Sequence, residues 1–377
     1  MSFLPLRRPR LSALSLGCCS ALVLSACVSD VPGGRRPETG RPQERVIYPV
    51  PGARPAPAMP ARHDPSLERP APGLSAEIGN LWRAFPGKTG IAIKRIDGDW
   101  EIGQRGGDLF PQQSVSKLWV SLTILHLIDQ NKGRLDDRLR IGMNDLAVFH
   151  SPVRDRVVAG GTVEMTVREL MERAITGSDN TANDRLLWYA GGPSAVRAFI
   201  AAKGLGAIRF GPGERAMQSA IAGLEWKQDY AVGSRFFAAR ETVPLSNRRD
   251  ALNRYIADPV DGASPMAIVN ALSKLARGEL LSPASTRLIL DIMARTTSGP
   301  NRLKGGLPPG WTIAHKTGTG QVLGGLATGY NDVGIITAPD GTRYAVAVML
   351  GDTTAAIGAR MRLMQAVSNA VARYHGL

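Results

Sequence analysis

Apolar residues follow two different periods along this chain, and the order of those periods limits the folds that it can adopt. Residues 89–105 hold two alternating runs about an Asp97-Gly98 turn, which predicts a β-hairpin. From 114 to 279 apolar residues recur three and four positions apart, which predicts helices. Three more strands and a closing helix are predicted near the end, over residues 310–318, 327–338, 343–350 and 354–374.

This succession predicts a mixed α/β (α+β) fold. Strands at both ends of a domain, with helices between them, imply an antiparallel sheet built from the two chain ends and flanked by helices. The helices in the middle of the sequence then form an all-helical half. We expect one folded domain over residues 74–377.

The first 27 residues are typical of an export signal. A basic start is followed by an apolar run, Leu11 to Ala26, that is too short to span a membrane as a mature helix. The run ends in Leu-Ser-Ala-Cys, which resembles the lipobox of bacterial lipoproteins and implies lipidation of Cys27. The alternative is a plain secretory signal with an incidental cysteine. We expect an exported, periplasmic protein anchored by lipid to a membrane, the outer one because no aspartate follows Cys27.

Residues 28–73 are rich in Pro, Gly and Arg and have almost no apolar periodicity, which predicts an extended tether. The net charge of +14 comes with no dense basic run with interleaved aromatics, so we expect no nucleic-acid partner. The cysteines all lie in the signal segment, which leaves the predicted domain without thiol or disulfide: Cys18, Cys19 and Cys27.

A serine and a lysine stand one helical turn apart at the start of the first predicted helix. Pro111 keeps the preceding chain out of helix, so a helix N-terminus near Ser114 is expected. Lys117, three residues on, shares its face, whereas Ser116 is turned away. A serine hydroxyl needs such a partner before it can act as a nucleophile. Alone the pair is weak, because serine is also a common helix cap.

Two further motifs make the pair specific. Ser178-Asp179-Asn180 begins a later predicted helix and alone would be a capping cluster. Lys316-Thr317-Gly318 follows a late strand and alone would be a strand running into a glycine turn. The order Ser-x-x-Lys, Ser-Asp-Asn, Lys-Thr-Gly on matching local structure is a signature of acyl-transferring serine enzymes.

From Leu74 to the C-terminus the sequence resembles the penicillin-recognising serine hydrolases, and most closely the class A β-lactamases. The stretches that carry the resemblance include "FPQQSVSK", "MTVRELMERAITGSDNTAND" and "GLPPGWTIAHKTGTG". It implies a serine β-lactamase or DD-peptidase-like fold with the active site between the sheet and the helical half. It makes Ser114 the acylated nucleophile and Lys117 its proton-transfer partner, with Ser178 and Lys316 passing a proton to the leaving nitrogen.

The resemblance also implies the substrate contacts. The backbone N–H groups of Ser114 and Thr319 would form an oxyanion hole. His150 matches a position at the rim, and we give it no catalytic role. Asn180 would bind the amide of the substrate's acyl group, and Lys316, Thr317 and Thr319 would face the carboxylate on its ring. The side chains and backbone implied to bind substrate are those of Asn180, Gln218, Thr317, Gly318 and Thr319.

The stretch "GERAMQS" departs from the family pattern at the base that hydrolyses the acyl-enzyme. Glu214, Met217 and Gln218 stand where class A enzymes have the glutamate, leucine and asparagine of a loop motif. A carboxylate with an amide four residues on fits a pair that activates and orients water. The alternative is a surface glutamate in a glycine-rich loop, because the amide side chain is longer and the usual arginine-to-aspartate clasp is not evident.

An insertion follows this stretch, at about residues 225–262. Its aromatic and basic residues would pack beside the Glu214 segment or line a wider cleft. A wider cleft would admit bulkier β-lactams or a peptidoglycan peptide.

We therefore predict a class A β-lactamase, a serine hydrolase that opens the β-lactam ring through an acyl-serine. Two alternatives remain: a D-Ala-D-Ala peptidase or penicillin-binding protein acting on peptidoglycan stem peptides, and a non-catalytic wall-binding lipoprotein. We expect a monomer with no cofactor or metal, since the histidines show no ligand spacing. They are His63, His126, His150, His315 and His375.

Overall fold

A computed structural model of the chain describes residues 68–377. In that range the strands are β1 (Thr89–Arg95), β2 (Glu101–Gln104), β3 (Phe110–Pro111), β4 (Arg138–Ile141), β5 (Val163–Thr166), β6 (Gly262–Ala263), β7 (Thr312–Thr319), β8 (Val322–Leu323), β9 (Leu326–Thr337) and β10 (Arg343–Thr353). The helices are α1 (Leu74–Ala84), α2 (Lys117–Asp129), α3 (Pro152–Gly160), α4 (Val167–Thr176), α5 (Asn180–Tyr189), α6 (Gly192–Ala202), α7 (Glu214–Ile221), α8 (Arg235–Thr242), α9 (Leu245–Ala257), α10 (Pro265–Ala276), α11 (Pro283–Ala294) and α12 (Ile357–Arg373).

The main sheet joins the two ends of the described chain. Its strand order is β2-β1-β10-β9-β7, with β8 also paired to β9, and the pairings are antiparallel. The register places Ile91 of β1 opposite Val348 of β10. The predicted fold class and the predicted hairpin are both confirmed, and β7, which carries Lys316, lies at the sheet edge.

Strict alternation along the central strands divides the core into two layers. Ile91 and Ile93 of β1 face the layer of α1 and α12, while Ala92 between them faces the helical half. On β10, Val346 and Val348 repeat this pattern. Because successive side chains in a strand point to opposite faces, a strand buried on both sides appears in sequence as a continuous apolar run.

The turn before α2 is pressed against the sheet. It is a short 3₁₀ segment, Gln113–Ser116, that leads directly into α2. Asn331 of β9 donates through Nδ2 to the carbonyl oxygens of Pro111 and Gln112, at 2.8 and 3.0 Å. A Cβ at Gly318 would lie 2.3 Å from the Gln112 oxygen, so only glycine permits this approach. The edge strand and the start of α2 thereby form one rigid corner.

The insertion predicted at about 225–262 is folded onto the helical half. It forms a 3₁₀ turn over Gln228–Ala231, then α8 and α9, and ends in the short strand β6, which pairs with β3 just before the α2 turn. The stretch that begins at Glu214, expected to be a loop, is the helix α7.

The predicted signal segment and most of the predicted tether lie outside the described residues. Within 68–377, no helix is both long enough and apolar enough to cross a membrane.

Candidate active site

A cleft of about 480 Å³ opens between the edge strand β7 and the helical half. The rim residue His150 lines it, as do most of the side chains singled out from the sequence. These are Ser114, Ser178, Asn180, Glu214, Gln218, Thr317 and Thr319. The two lysines, Lys117 and Lys316, are fully buried just behind Ser114 and Ser178. Residues from four distant stretches of the sequence therefore meet at one place.

Ser114 lies at the centre of a short chain of polar contacts. Lys117 Nζ is 2.6 Å from Ser114 Oγ and 2.5 Å from Glu214 Oε1. Ser116, by contrast, turns back and donates its hydroxyl to the Gln113 carbonyl oxygen. The geometry brings together a hydroxyl, an amine that can accept its proton and a carboxylate that can accept the next one.

The second serine has its own lysine. Lys316 Nζ donates to Ser178 Oγ and to the Thr317 carbonyl oxygen, both at 3.0 Å. Burial, followed by the neighbouring positive charge of Lys117, lowers the pKa of Lys316 well below its usual value. A lowered pKa makes the Lys316 ammonium a better proton donor, which suits a relay to Ser178.

Two residues that line the cleft, Ser114 and Thr319, have backbone N–H groups that their own turn or strand pairing leaves free. The first hydrogen bond of the 3₁₀ turn is donated by Val115 N, so the Ser114 N–H precedes it and has no partner within the turn. Gly320 N donates to Gly329 O on β9 at 2.7 Å, and N–H groups alternate sides along a strand. The Thr319 N–H therefore points away from β9, to the open edge.

One end of the cleft is rich in hydroxyl groups, and an arginine that the sequence analysis missed lies beside them. Ser298 and Thr317 exchange a hydroxyl hydrogen bond at 2.8 Å. Arg302 donates to Thr319 Oγ1 at 2.6 Å and stacks 3.8 Å from the centre of the Tyr330 ring. A cation and three hydroxyls are a suitable set for an anionic group.

Asn180 forms the opposite wall. Its side chain donates to the Val148 carbonyl oxygen at 2.8 Å, and its backbone N–H donates to His150 O at 3.0 Å. Asp179, which caps α5, also accepts from Val153 N at 2.8 Å. These bonds fix the side chain of Asn180, with its amide at the cleft surface.

Glu214 is not the surface glutamate that the sequence left open as an alternative. Its side chain is only 3% exposed, and the N–H groups of Glu214 and Arg215 both donate to Asp184, at 3.1 and 3.3 Å. Arg215 Nε also lies 3.3 Å from that carboxylate, so an arginine–aspartate contact that the sequence analysis did not find holds this segment. Burial, and then the charge of Glu214, raise the pKa of Asp184 to about 6.

A buried amide network connects Glu214 to the insertion. Gln218 Nε2 donates to Glu214 Oε2 at 3.3 Å and to Gln113 Oε1 at 2.9 Å. Gln113 in turn donates to the hydroxyl of Tyr255 at 2.6 Å, and that hydroxyl donates to Asp261 at 2.9 Å. Burial raises the pKa of Asp261 to about 6 and that of Tyr255 well above its usual value. The insertion is thus linked to the Glu214 carboxylate through two glutamines.

Backbone strain is concentrated at the cleft. Among residues 68–377, five residues other than glycine have positive φ, and three of them surround Ser114. Each such conformation costs roughly 1–3 kcal/mol, and persists only where the surrounding structure imposes it. The three are Gln113, Phe149 and Ser178.

Comparison with known proteins assigns the chain to a family. The model of the β-lactamase enzyme family matches residues 73–375. The chain is 28% identical to β-lactamase VEB-1 of Pseudomonas aeruginosa over 74% of its length and 83% of that protein. It is also 28% identical to the extended-spectrum β-lactamase PER-1 of Pseudomonas aeruginosa, over 75% and 81%.

Solved structures are similar over the same region. The TLA-1 extended-spectrum β-lactamase matches with a TM-score of 0.67 and 26% identity, over 81% of this chain and 99% of that one. An ancestral class A β-lactamase matches with a TM-score of 0.62 and 30% identity, over 80% and 99%. The chain therefore belongs to the β-lactamase enzyme family, and its fold is that of the class A enzymes.

The amide network makes a testable prediction about the insertion. Tyr255→Phe removes the acceptor of Gln113 and a donor to buried Asp261, so we expect the free energy of unfolding to fall by about 1–3 kcal/mol. Hydrolysis of a chromogenic cephalosporin should also slow, because Gln218 and Glu214 lose their support. Denaturant unfolding and steady-state kinetics measure the two effects.

The matched control is Tyr230→Phe in the same insertion, whose ring packs against Phe236. That change should alter the free energy of unfolding by less than about 0.5 kcal/mol. Equal effects of the two substitutions would show that the Tyr255 hydroxyl has no special part in the network.

Proposed function

We propose that this protein hydrolyses β-lactams through an acyl-serine formed on Ser114, with Glu214 as the base that releases the acyl group. The observation that carries the proposal is the continuous contact from Ser114 Oγ through Lys117 Nζ to Glu214 Oε1, at 2.6 and 2.5 Å, under the floor of the cleft. The first two groups carry out the bond-forming step of acylation, while Glu214 holds the proton that Lys117 gives up. The third is what turnover requires.

Acylation begins with the Ser114 proton. When Lys117 has passed a proton to Glu214, its amine can accept the proton of Ser114 as Oγ bonds to the lactam carbonyl carbon. The oxygen of that carbonyl becomes an anion, which the outward N–H groups of Ser114 and Thr319 would stabilise; one such donor commonly contributes about 10²–10³ in rate. The ring C–N bond then breaks, and the nitrogen takes a proton from Ser178, which Lys316 replenishes.

Deacylation needs a water held between a base and the ester carbon. Glu214 and Gln218 both line the cleft with Ser114. Both amide hydrogens of Gln218 are donated to Gln113 and Glu214, so a water there could donate one hydrogen to the carboxylate and the other to the Gln218 carbonyl oxygen. Before this step Glu214 releases the proton that it took during acylation, and Lys316 regains the one that it gave up, by exchange with solvent. The water oxygen then adds to the ester carbonyl while the Glu214 carboxylate takes its proton. The bond from carbon to Ser114 Oγ then breaks, and Oγ regains a proton from Lys117.

The burial of Glu214 favours a hydrolase over a penicillin-binding protein that the drug inactivates. A carboxylate that is 3% exposed and held by hydrogen bonds from Lys117 and Gln218 is placed at a fixed distance from Ser114. A surface glutamate would not be. The third possibility, a non-catalytic wall-binding protein, would not need two buried lysines paired with two serines, since each buried cation has a desolvation cost.

The first prediction is turnover itself. The purified full chain mixed with a chromogenic cephalosporin should produce colour over many equivalents, while intact mass shows no lasting adduct. Ser114→Ala should lower turnover by about 10⁴-fold or more, because the nucleophile is gone. A stable adduct on the wild-type chain would instead identify a penicillin-binding protein, and no reaction at all would identify a binding protein.

A second prediction separates the two half-reactions. Glu214→Gln keeps the shape of the side chain but removes the base, so hydrolysis of the acyl-enzyme should slow by about 10²–10⁴-fold. Intact mass should then show the acyl adduct on Ser114 accumulating. Glu225→Gln, an exposed glutamate of the insertion, is the control for the lost charge. Unchanged turnover by Glu214→Gln would mean that another group activates the water.

We also propose that the protein works outside the cytoplasm, tethered by lipid at Cys27 to the outer membrane. The support is the sequence alone: a basic start, an apolar run and a lipobox-like end, followed by a Pro-rich and Arg-rich stretch. All residues proposed to react come from one chain, so a monomer suffices. A tethered monomer in the periplasm would meet β-lactams before they reach wall-building enzymes.

The proposed lipid anchor predicts that a tagged fatty acid becomes attached to the chain at Cys27. Cells expressing the full chain with an alkyne-tagged fatty acid should label the wild type and not Cys27→Ser, and the wild type should sediment with outer membranes. Cys19→Ser is the matched control, because that cysteine lies before the proposed cleavage site. Labelling that survives Cys27→Ser would place the modification elsewhere.

A further inference from the structure

The insertion brings one charged side chain into the cleft. Arg240, near the end of α8, lines the same cavity as Ser114. It lies four residues after Phe236, and residues so spaced share one face of a helix. Phe236 is 1% exposed, so the face of α8 that carries Arg240 is the face that packs onto the protein.

Aromatic contacts fix α8 against the cleft wall. Phe149, next to the rim residue His150, packs edge-on against Phe236 at 5.0 Å and lies 5.9 Å from Phe237. Arg154 ties the same wall to the insertion by donating to the carbonyl oxygens of Phe149 and Ala231, at 3.0 and 3.4 Å. The position of Arg240 is therefore set by packed side chains.

The charge of Arg240 is only weakly balanced by its surroundings. Its Nε is buried and has no hydrogen-bond acceptor within the part of the chain that the structure describes. The carboxylate of Glu241 is 3.8 Å from the guanidinium, beyond hydrogen-bond distance, and lies closer to Arg248, at 3.3 Å. The guanidinium also rests 5.2 Å from the centre of the Phe237 ring. Its remaining donors are available to a ligand.

The position of Arg240 suggests which part of a ligand would reach it. The cation and hydroxyls proposed to hold the ring carboxylate belong to β7 and Arg302. Asn180, proposed to bind the acyl amide, donates to the carbonyl oxygen of Val148, the residue before Phe149. A substituent that continues beyond that amide would thus extend along the Phe149 wall, on which α8 and Arg240 are packed.

We propose that Arg240 forms a second anion subsite, which favours β-lactams whose acyl arm carries a carboxylate in addition to the one on the ring. The inference rests on the proposed function, since it assumes that the cleft takes β-lactams. The interaction is a hydrogen-bonded ion pair between the guanidinium and the second carboxylate, at a place where Phe149 and Phe237 exclude part of the water. The insertion is then a specificity element as well as a support for Glu214.

The test compares substrates that differ in this carboxylate. Carbenicillin is benzylpenicillin with one carboxylate added beside the side-chain amide. Ceftazidime has an oxyimino arm that ends in a carboxylate where cefotaxime has a methoxyimino group; these two also differ in the substituent on the ring, so each ratio is compared between the variant and the wild-type chain. Arg240→Gln should lower the ratio of kcat/KM for the carboxylated over the uncarboxylated member by about fivefold to tenfold in at least one pair. Most of the change should lie in KM, and Arg240→Lys should retain part of the preference.

Arg235→Gln is the matched control, since it removes the same charge from the same helix at a residue that pairs with Asp229 outside the cleft. That variant should leave both ratios unchanged. The wild-type preference should also weaken as salt is raised, because the cleft is open to solvent and a charge pair within it is partly screened. Equal loss for both members of each pair, or no change in either ratio, would overturn the subsite.

The subsite and the proposed function fail separately. Turnover of benzylpenicillin by the wild-type chain tests the function and involves no second carboxylate. If the chain is only acylated, the same ratios are obtained from second-order acylation rates measured by intact mass. In either case, a lower preference of Arg240→Gln for the carboxylated member of a pair supports the subsite, and an unchanged preference contradicts it.

Discussion

The contact between Lys117 and Glu214 is the constraint to which the rest of the site is fitted. Both groups are almost fully buried, and taking each charge out of water costs several kcal/mol unless a well-placed partner offsets it. The two charged groups lie 2.5 Å apart, so if either moved away, the other would be left as a buried charge without its partner. The start of α2 and the start of α7 must therefore keep a fixed position relative to each other, although 97 residues separate them in sequence.

The structure meets this requirement from two sides. Asp184 on α5 accepts the first N–H groups of α7, where the free donors of a helix favour a negative charge. Tyr255 and Asp261 fix Gln113, and Gln113 fixes Gln218. The second set belongs to the region predicted as an insertion, which explains how a longer amide than the family's usual asparagine can be held in place. The insertion completes the site instead of merely surrounding it.

Local patterns in the sequence were enough for the fold class and for the pairing of Ser114 with Lys117, whereas the pairing of Ser178 with Lys316 was implied by the family resemblance. Helical spacing sets Ser114 against Lys117, and alternation identifies the strands, because both depend on neighbours along the chain. Other features depend on tertiary packing, and no short motif predicts them. They are the burial of Glu214, the contacts of the Tyr255 hydroxyl and the contact of Arg302 with Thr319. Among the site residues that the sequence analysis missed, Asp184 was the easiest to predict, since it lies four residues after Asn180 on the same helix face.

The place of β7 at the edge of the sheet has a consequence for recognition. An edge strand presents unpaired backbone groups, and a peptide-like ligand can pair with them as an added strand. The outward N–H of Thr319 is such a group, and Asn180 faces it across the cleft. A bound acyl amide would thus extend the sheet by one short segment. Backbone hydrogen bonds do not depend on side-chain identity, so the edge strand would bind the amide group that all such ligands share. Selectivity between different acyl groups would then depend on the side chains of the cleft walls.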